Sequence, residues 1–328
     1  MKRILQDNSG VALIVTILII SLIVSLTLQF NISMRSDLHA AANLRDGIKL
    51  GYIAKSGFNC ALAVLREDAS EGNVDSLLEA WADLKTLSDN SGALFYEGWF
   101  QVEVLDHSGR IQINKLVEGS QYNDTQRKLL TRFLKSPEFG LEDEEVENIV
   151  NAVKDWIDLD DEVTEGPGYG AESGYYQGLD KPYVCKNAPV EFIEELLLVR
   201  GVTKGLFYGT KEKPGIASYL SPYGDDGKIN INTAESLVLK AFSDRMDDQM
   251  VEDMVAHRKD RNNDLSDPNW YKTVPGMGDV TIAEDLLDAS STNFEIVSEG
   301  FKGAMAKRVT GMVKRTGSKC DILSWKIE

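Results

Sequence analysis

Residues 11–30, VALIVTILIISLIVSLTLQF, run for twenty residues without a charge. A helix of that length rises about 30 Å, enough to cross the hydrocarbon core of a bilayer. Gly10 stands directly against this run. Residues 1–10 are short and polar, with Lys2 and Arg3 near the start, and some three hundred acidic, soluble-looking residues follow. One N-terminal membrane-spanning helix therefore carries everything else. The positive-inside rule places the bulk of the chain outside the cytoplasm.

Three readings of this stretch compete. A plain signal-anchor helix explains the hydropathy. A secretory signal peptide needs a shorter apolar core with small residues just after it, whereas Ala40, Ala41 and Ala42 lie about ten residues beyond the run. A prepilin-type leader, cut between Gly10 and Val11, would leave the apolar helix as the new N-terminus. It alone accounts for a polar leader that ends in Gly and precedes the apolar segment.

Net charge is −17, with 35 Lys and Arg against 52 acids. Such a chain repels phosphate backbones, so general nucleic-acid binding is disfavoured. Beyond a bacterial-type leader the compartment is the periplasm, where disulfides form. Cys60, Cys185 and Cys320 are an odd number, so at least one is unpaired within the chain, and the sequence leaves the pairing open. His39, His107 and His257 are scattered and read as non-catalytic.

Past Phe30 the apolar residues continue at helical spacing (Met34, Leu38, Leu44, Ile48, Tyr52, Leu62, Leu65), predicting one long helix to about Arg66, amphipathic in its second half. Gly47, Gly51 and Gly57 within it predict bends or close contacts. A shorter helical pattern surrounds Leu77, Leu78, Trp81 and Leu84. Residues 96–105 alternate as a strand, with a turn at 106–109 and residues 110–114 pairing back as a hairpin. Helical patterns follow over 124–158 and 190–199. Residues 227–234, GKININTA, echo residues 109–116, GRIQINKL, and each copy precedes helical sequence. The second copy runs through 235–242, 247–258, Pro275-Gly276-Met277-Gly278 and 282–287, a helix-hairpin-helix pattern. Residues 293–298, 305–313 and 320–327 read as strands that join the Trp99 strand in a sheet covering the long helix.

The acidic loop is the strongest chemical signal. Asp155, Asp158, Asp160, Asp161 and Glu162 crowd together, and Glu172 returns across a glycine-rich turn. Hard oxygen ligands on a flexible loop suit Ca²⁺, and a solvated loop without metal is the competing reading. The spacing of Asp158 and Asp160 is like the start of an EF-hand loop, but no glycine or terminal Glu falls at the EF-hand positions. Nothing accompanies these carboxylates as nucleophile or oxyanion donor for hydrolysis. The helix-hairpin-helix pattern, a DNA grip in many proteins, is followed here by Asp279, Glu284, Asp285 and Asp288 and reads as protein packing.

Together, Gly10-Val-Ala-Leu-Ile-Val-Thr-Ile-Leu18, Asp155-Trp-Ile-Asp-Leu-Asp160, Gly170-Ala-Glu172, Tyr175-Tyr176, Glu195-Leu-Leu-Leu-Val-Arg-Gly-Val202 and Lys228-Ile-Asn-Ile-Asn-Thr-Ala234 resemble the K-family minor pseudopilins of the type II secretion system, in order and over essentially the whole chain. The resemblance implies an α+β fold: a pilin-like N-terminal transmembrane helix on an antiparallel sheet, with a large α-helical domain inserted that contains helix-hairpin-helix-like units. The expected divisions are leader 1–10, transmembrane helix 11–30, pilin-like helix and first strands 31–114, inserted domain 115–290 and closing strands 291–328. It implies cleavage after Gly10 by a prepilin peptidase, N-methylation at Val11, residence in the inner membrane with the bulk in the periplasm, and no enzymatic role. The implied partners are the I and J minor pseudopilins in a complex capping the pseudopilus tip, and the major pseudopilin, for export of folded periplasmic proteins. It also implies Ca²⁺ at the acidic loop, on Asp158, Asp160 and Glu172 first, then Asp161, Glu162 and Asp155. A minor pilin of a type IV pilus, or an anchored helix-hairpin-helix DNA binder of an uptake system, are the alternatives. Pilin-like helices commonly carry Glu at the fifth mature position, pairing with the terminal amine of the subunit above. Here that position is Val15, which suits a subunit with nothing above it, because an unpaired buried carboxylate is costly.

Overall fold

The computed structural model describes residues 9–328; residues 1–8, with Lys2 and Arg3 of the expected leader, lie outside the described residues. The first element, α1 (Ser9–Glu71), is one unbroken helix of 63 residues, about 95 Å long at about 1.5 Å per residue. It is long and apolar enough to cross a membrane, and its apolar window is not buried by the rest of the chain. Within that window the hydroxyls of Thr16, Ser21 and Thr27 donate to helix carbonyls at 2.7–3.0 Å. No hydroxyl of these three is thus left unpaired, as a helix that crosses a membrane requires. In the second half Leu50, Ile53, Ala54, Phe58, Ala61, Leu62 and Leu65 are buried, spaced three or four apart as one stripe.

The segment expected to be helical around Leu77, Leu78, Trp81 and Leu84 is a run of turns. Glu79 explains it: its carboxylate accepts from Ser76 N at 3.2 Å and Trp81 Nε1 at 2.7 Å, local bonds that compete with a helix. Trp81 and Leu84 are buried all the same. Helix α2 (Lys85–Asn90) then leads into β1 (Trp99–Asp106).

The long insertion begins at β2 (Ile111–Gln112) and a 3-10 turn, Ile113–Leu116. A small pairing of β3 (Val117–Glu118) with β4 (Gln121–Tyr122) precedes α3 (Asp124–Leu134) and α4 (Asp143–Ile157). Next come the pair β5 (Glu165–Gly166) and β6 (Gly168–Tyr169), α5 (Ser173–Tyr176), a 3-10 helix Ile193–Leu198, and α6 (Lys204–Tyr208). Strands β7 (Leu220–Ser221) and β8 (Ile229–Asn230) separate this part from α7 (Ser236–Lys240), α8 (Asp248–Lys259) and β9 (Leu287–Asp288).

Two expectations are corrected here. The hairpin through residues 106–109 does not form. Instead β2 lies parallel to β7, and in the echoed copy β8 lies parallel to β9. The two GxIxIN segments are thus the opening strands of two units built alike, each closed by a parallel strand after its helices. Both faces of β2 are buried: Ile111 is in the core and Gln112 accepts from Gly227 N at 3.0 Å and donates to Lys228 O at 2.7 Å. A strand enclosed on both faces has no need of a hairpin partner, and alternation alone could not reveal this. The helix-hairpin-helix is not formed as two full helices. Gly276 makes the turn at φ +81°, but it is flanked by 3-10 turns, Pro268–Thr273 and Glu284–Leu286. Pro268 and Pro275 limit the first, and β-branched Val280, Thr281 and Ile282 precede the second.

The chain then returns as β10 (Asn293–Lys302), β11 (Met305–Thr316) and β12 (Lys319–Ile327). The sheet order is β1-β10-β11-β12, all antiparallel. As the alternation predicts, Phe100, Val102 and Val104 face inward, against the stripe of α1. The insertion has a larger core of its own, built on α3 and α4.

Candidate metal centre and domain junction

Helix α4 has Val146, Ile149, Val150 and Val153 on its buried face and a capping box between Glu142 and Glu145 at its start. Its far end is where the acidic loop begins. Asp158 is the C-cap residue, its N–H donating to Lys154 O at 2.9 Å. A carboxylate at a helix C-terminus meets carbonyl dipoles of its own sign, so a cation there stabilises it. The loop folds back because the β5–β6 turn lies on α4: Tyr169 N donates to Asn148 Oδ1 at 2.7 Å. Asp155 clips the loop from inside, accepting from Thr164 N at 3.2 Å. Gly170 is required for this clip, because a Cβ there would overlap the Asp155 carboxylate.

This return brings Asp158, Asp160 and Glu172 together, each offering an oxygen within 4.8 Å of the others. Asp158 and Glu172 are buried and Asp160 is half-buried. Asp158 Oδ1 and both Glu172 carboxylate oxygens have no hydrogen-bond partner, and neither has the nearby Asn187 Oδ1. Burial pushes Glu172 up to about 8, with the Asp155 charge adding to the shift, and pushes Asp158 up to about 6. Asp160 goes the other way, lowered by the Ser120 hydroxyl and by Glu162 N, which donates at 2.9 Å. Unpaired buried oxygens converging on one point are the donor set a hard cation takes.

Of the six acids singled out, three converge. Asp155 is spent on the loop clip, while Asp161 and Glu162 are exposed and outside the three-carboxylate group. Three neighbours escaped the sequence reading. Lys154 pairs with Asp158 and stands 3.9 Å from Asp155. The Cys185 thiol, raised to about 12 by burial and by Glu172, donates to Asp155 O at 3.3 Å. Asn187, at φ +47°, donates to Asp160 O. A lysine four residues before Asp158 was readable as its helical partner; the other two are brought in by tertiary folding alone. Gly10, Val11 and Val15 lie on the exposed part of α1.

A second buried polar cluster joins the insertion to the sheet. Asp106, at the end of β1, accepts from Ser108 N at 2.7 Å, Ser291 Oγ at 2.6 Å and Thr233 Oγ1. Arg315 of β11 pairs with Asp75 and, at 2.7 Å, with Asp68 of α1. His107 bridges Ser221 Oγ at 3.1 Å and Glu295 Oε2 at 3.2 Å, and burial lowers its pKa. Serine, histidine and glutamate in line have the composition of a nucleophilic triad. Ser221 is fully buried, however, and its hydroxyl accepts from Tyr223 N at 3.1 Å, so the array ties β7 to β10.

A pilin-like fold, with a long apolar N-terminal helix and a helical insertion carrying an acidic cluster, is the class this fold and site define. Residues 109–209 match the family described as Type II secretion system (T2SS), protein K. Type II secretion system protein K of Aeromonas hydrophila is 26% identical over 317 residues, covering 88% of each chain. That of Pseudomonas aeruginosa is 26% identical over 302 residues, covering 90% of this chain and 85% of its own. In fold, the chain is similar to one in the GspK-GspI-GspJ complex from the enterotoxigenic Escherichia coli Type 2 Secretion System, with TM-score 0.68 and 16% identity over 88% of this chain and 99% of that one. The chain is similar to the type II secretion system K proteins along nearly its whole length, as its motifs implied.

Proposed function

We infer that this chain is a minor pseudopilin of the type II secretion system, a structural subunit of the pseudopilus tip complex that serves export of folded periplasmic proteins. The observation that carries the reading is the similarity to K proteins along nearly the whole chain, on the fold seen in a GspK-GspI-GspJ complex. The position of the insertion supports it physically. The insertion joins the sheet at Asp106 and Asn293, beside Asp68 at the distal end of α1 and Asp75 just beyond it. It therefore sits at the end farthest from the membrane, where it obstructs another subunit from stacking above. Co-purification from membranes with two further pilin-like proteins is the expected result; recovery of the full chain without any pilin-like partner rejects the reading.

A prepilin peptidase cuts after Gly10, Val11 becomes the methylated N-terminus, and α1 holds the subunit in the inner membrane with its bulk in the periplasm. The I- and J-type minor pseudopilins and the major pseudopilin are its neighbours. Val15 removes the carboxylate that an internal subunit uses to meet the amine above it. A Val15→Glu chain is expected to lose its strict terminal placement, and equal placement of both forms in labelled filaments rejects this role for Val15.

Ca²⁺ is the proposed ligand of Asp158, Asp160 and Glu172. When bound it supplies the positive charge that these buried carboxylates lack, leaving Lys154 as the auxiliary counter-charge. Saturating Ca²⁺, at about 100 times its Kd, is expected to add about 2.7 kcal/mol to stability. Asp158→Ala with Asp160→Ala is expected to abolish the gain. A melting curve that is the same in chelator and in Ca²⁺ rejects the site.

A further inference from the structure

Helix α3 divides its residues by charge. Leu129, Leu130, Phe133 and Leu134 are buried in the core of the insertion. Away from that core stand Arg127, Lys128 and Arg132, with Lys135 at the C-cap. Lys128, Arg132 and Lys135 are four and then three residues apart, so they lie along one line of the helix. Four cations on one face stand out in a chain with 35 Lys and Arg against 52 acids.

Two hollows border this face. One, of about 330 Å³, is lined by Lys128, Arg132 and Lys135, and by Glu147 and Asp244. The other, of about 540 Å³, reaches the acidic loop and is lined by Tyr122, Asn151 and Lys154. Both include Asp124, Arg127 and Pro167 in their walls, so they form one trough. Arg127 stands at the junction, its guanidinium 4.5 Å from the centre of the Tyr122 ring.

Each hollow holds a buried donor with nothing to donate to among the described residues. Asn151 is 1% exposed, and its Oδ1 accepts from the Tyr122 hydroxyl at 2.6 Å, but its Nδ2 has no partner. Arg132 Nε is also buried and unpaired. A buried donor without an acceptor is costly, and a ligand that supplies acceptors removes that cost. The ion pairs already on this face are loose. Arg127 meets Glu147 at 3.4 Å and Arg132 meets Asp244, an exposed residue, at 3.5 Å. Pairs of this kind hold weakly and exchange for better ones.

We propose that this trough binds an acidic, extended segment of another polypeptide, its carboxylates set along α3 and one of them reaching Asn151 Nδ2 and Arg127. Both orphaned groups are donors, and the cations around them select anionic oxygen. Cations one turn apart on a helix are about 5–6 Å from each other at Cβ. Alternate side chains of an extended strand are about 6.8 Å apart on one side, a difference that long Lys and Arg side chains absorb. Asp160, Glu162 and Glu165, also in the wall of the larger hollow, repel such a ligand and confine it to the α3 side. The trough lies wholly on the insertion, so the proposal goes beyond the tip reading and does not depend on it.

The test is fluorescence anisotropy of a labelled seven-residue peptide, glutamate alternating with serine, added to the full chain in neutral detergent. Saturable binding that weakens as salt rises is expected. Lys128→Glu with Lys135→Glu alters two exposed side chains. This pair is expected to keep the melting temperature and to weaken binding by about tenfold or more. Asn151→Asp retains the acceptor for Tyr122 and exchanges the free donor for a charge of the wrong sign; a similar loss is expected. Lys181→Glu with Lys211→Glu makes the same change in net charge at exposed lysines outside the trough and is expected to leave binding intact. Equal weakening by the two lysine pairs overturns the proposal, because the overall field then explains the binding. So do unchanged binding with Lys128→Glu and Lys135→Glu, no saturable binding at all, and full displacement of the peptide by an equal concentration of inorganic phosphate. If Asn151→Asp fails to fold, the lysine pairs decide.

Discussion

Glu172 shows how far burial decides the chemistry of a single side chain. In water it would be an ordinary carboxylate, yet inside the fold it is raised to about 8 from 4.5, and Asp158 to about 6 from 3.8. Each keeps its proton when folded at pH values where the unfolded chain has lost it. The folded state then binds more protons, so these groups make stability fall as pH rises from about 4 to about 8. Below that window they contribute no slope, and above it the loss is complete. In chelator, the melting temperature is expected to fall more steeply between pH 5 and pH 8 for the wild type than for Glu172→Gln. Excess Ca²⁺ is expected to flatten the wild-type slope, because the cation takes the place of the proton. A steeper slope for Glu172→Gln contradicts the assignment. The convergence of Asp158 and Asp160 was legible from their spacing and that of Glu172 from its glycine-rich return. The separation of Asp155 from them was not, because it depends on which face of the last turn of α4 points under the loop.

At the scale of elements, the glycines of α1 sort by what stands beside them. A Cβ on Gly57 would press on Ser298 Oγ and lie 2.7 Å from the Phe100 ring. Gly57→Ala is therefore expected to destabilise the sheet domain by about 1–3 kcal/mol, measured by denaturant unfolding, although Ala is the better helix former. An unchanged midpoint means that the helix and sheet separate more readily than their packing implies. Gly47→Ala and Gly51→Ala, with open space around them, lack this penalty. Sequence alone places all three glycines alike, in mid-helix, and only the position of the sheet tells them apart. The strand pattern of β1 and β10 was equally plain, since each alternates between a buried and a more exposed face. Residues 110–114 misled because β2 is enclosed on both faces and pairs with a strand more than a hundred positions away, Ile111 with Leu220.

For the whole molecule, the question is what keeps a helical domain fixed on a pilin-like frame. The joint is polar and buried: Arg315 holds Asp75 and Asp68 together, and its Nη2 donates to Ser291 O at 3.1 Å. Asn230, in the echoed motif, donates to Asp75 O at 3.0 Å and Ser291 Oγ at 2.7 Å. Removing one member of such a buried pair leaves the other charge uncompensated. Arg315→Met is thus expected to cost about 3–5 kcal/mol and to separate the unfolding of the two domains into two transitions. Arg315→Met combined with Asp75→Asn is expected to recover part of the loss. A cost near zero shows that the domains are held by something other than this joint.

By itself the sequence determined the long apolar helix, its continuation along a sheet, the final strands, the helical character of the middle and the acidic loop. These are local or periodic signals: an uncharged run, spacings of two or of three and four, carboxylates close in number. The tertiary structure decided what depends on distant segments meeting. It paired the two echoed strands with partners far along the chain and reduced the helix expected after Pro275 to a single turn, while the one expected at 247–258 stands as α8. It selected three oxygens of the acidic loop for one point. A pattern along the chain records which face a residue presents; only the fold supplies what that face meets.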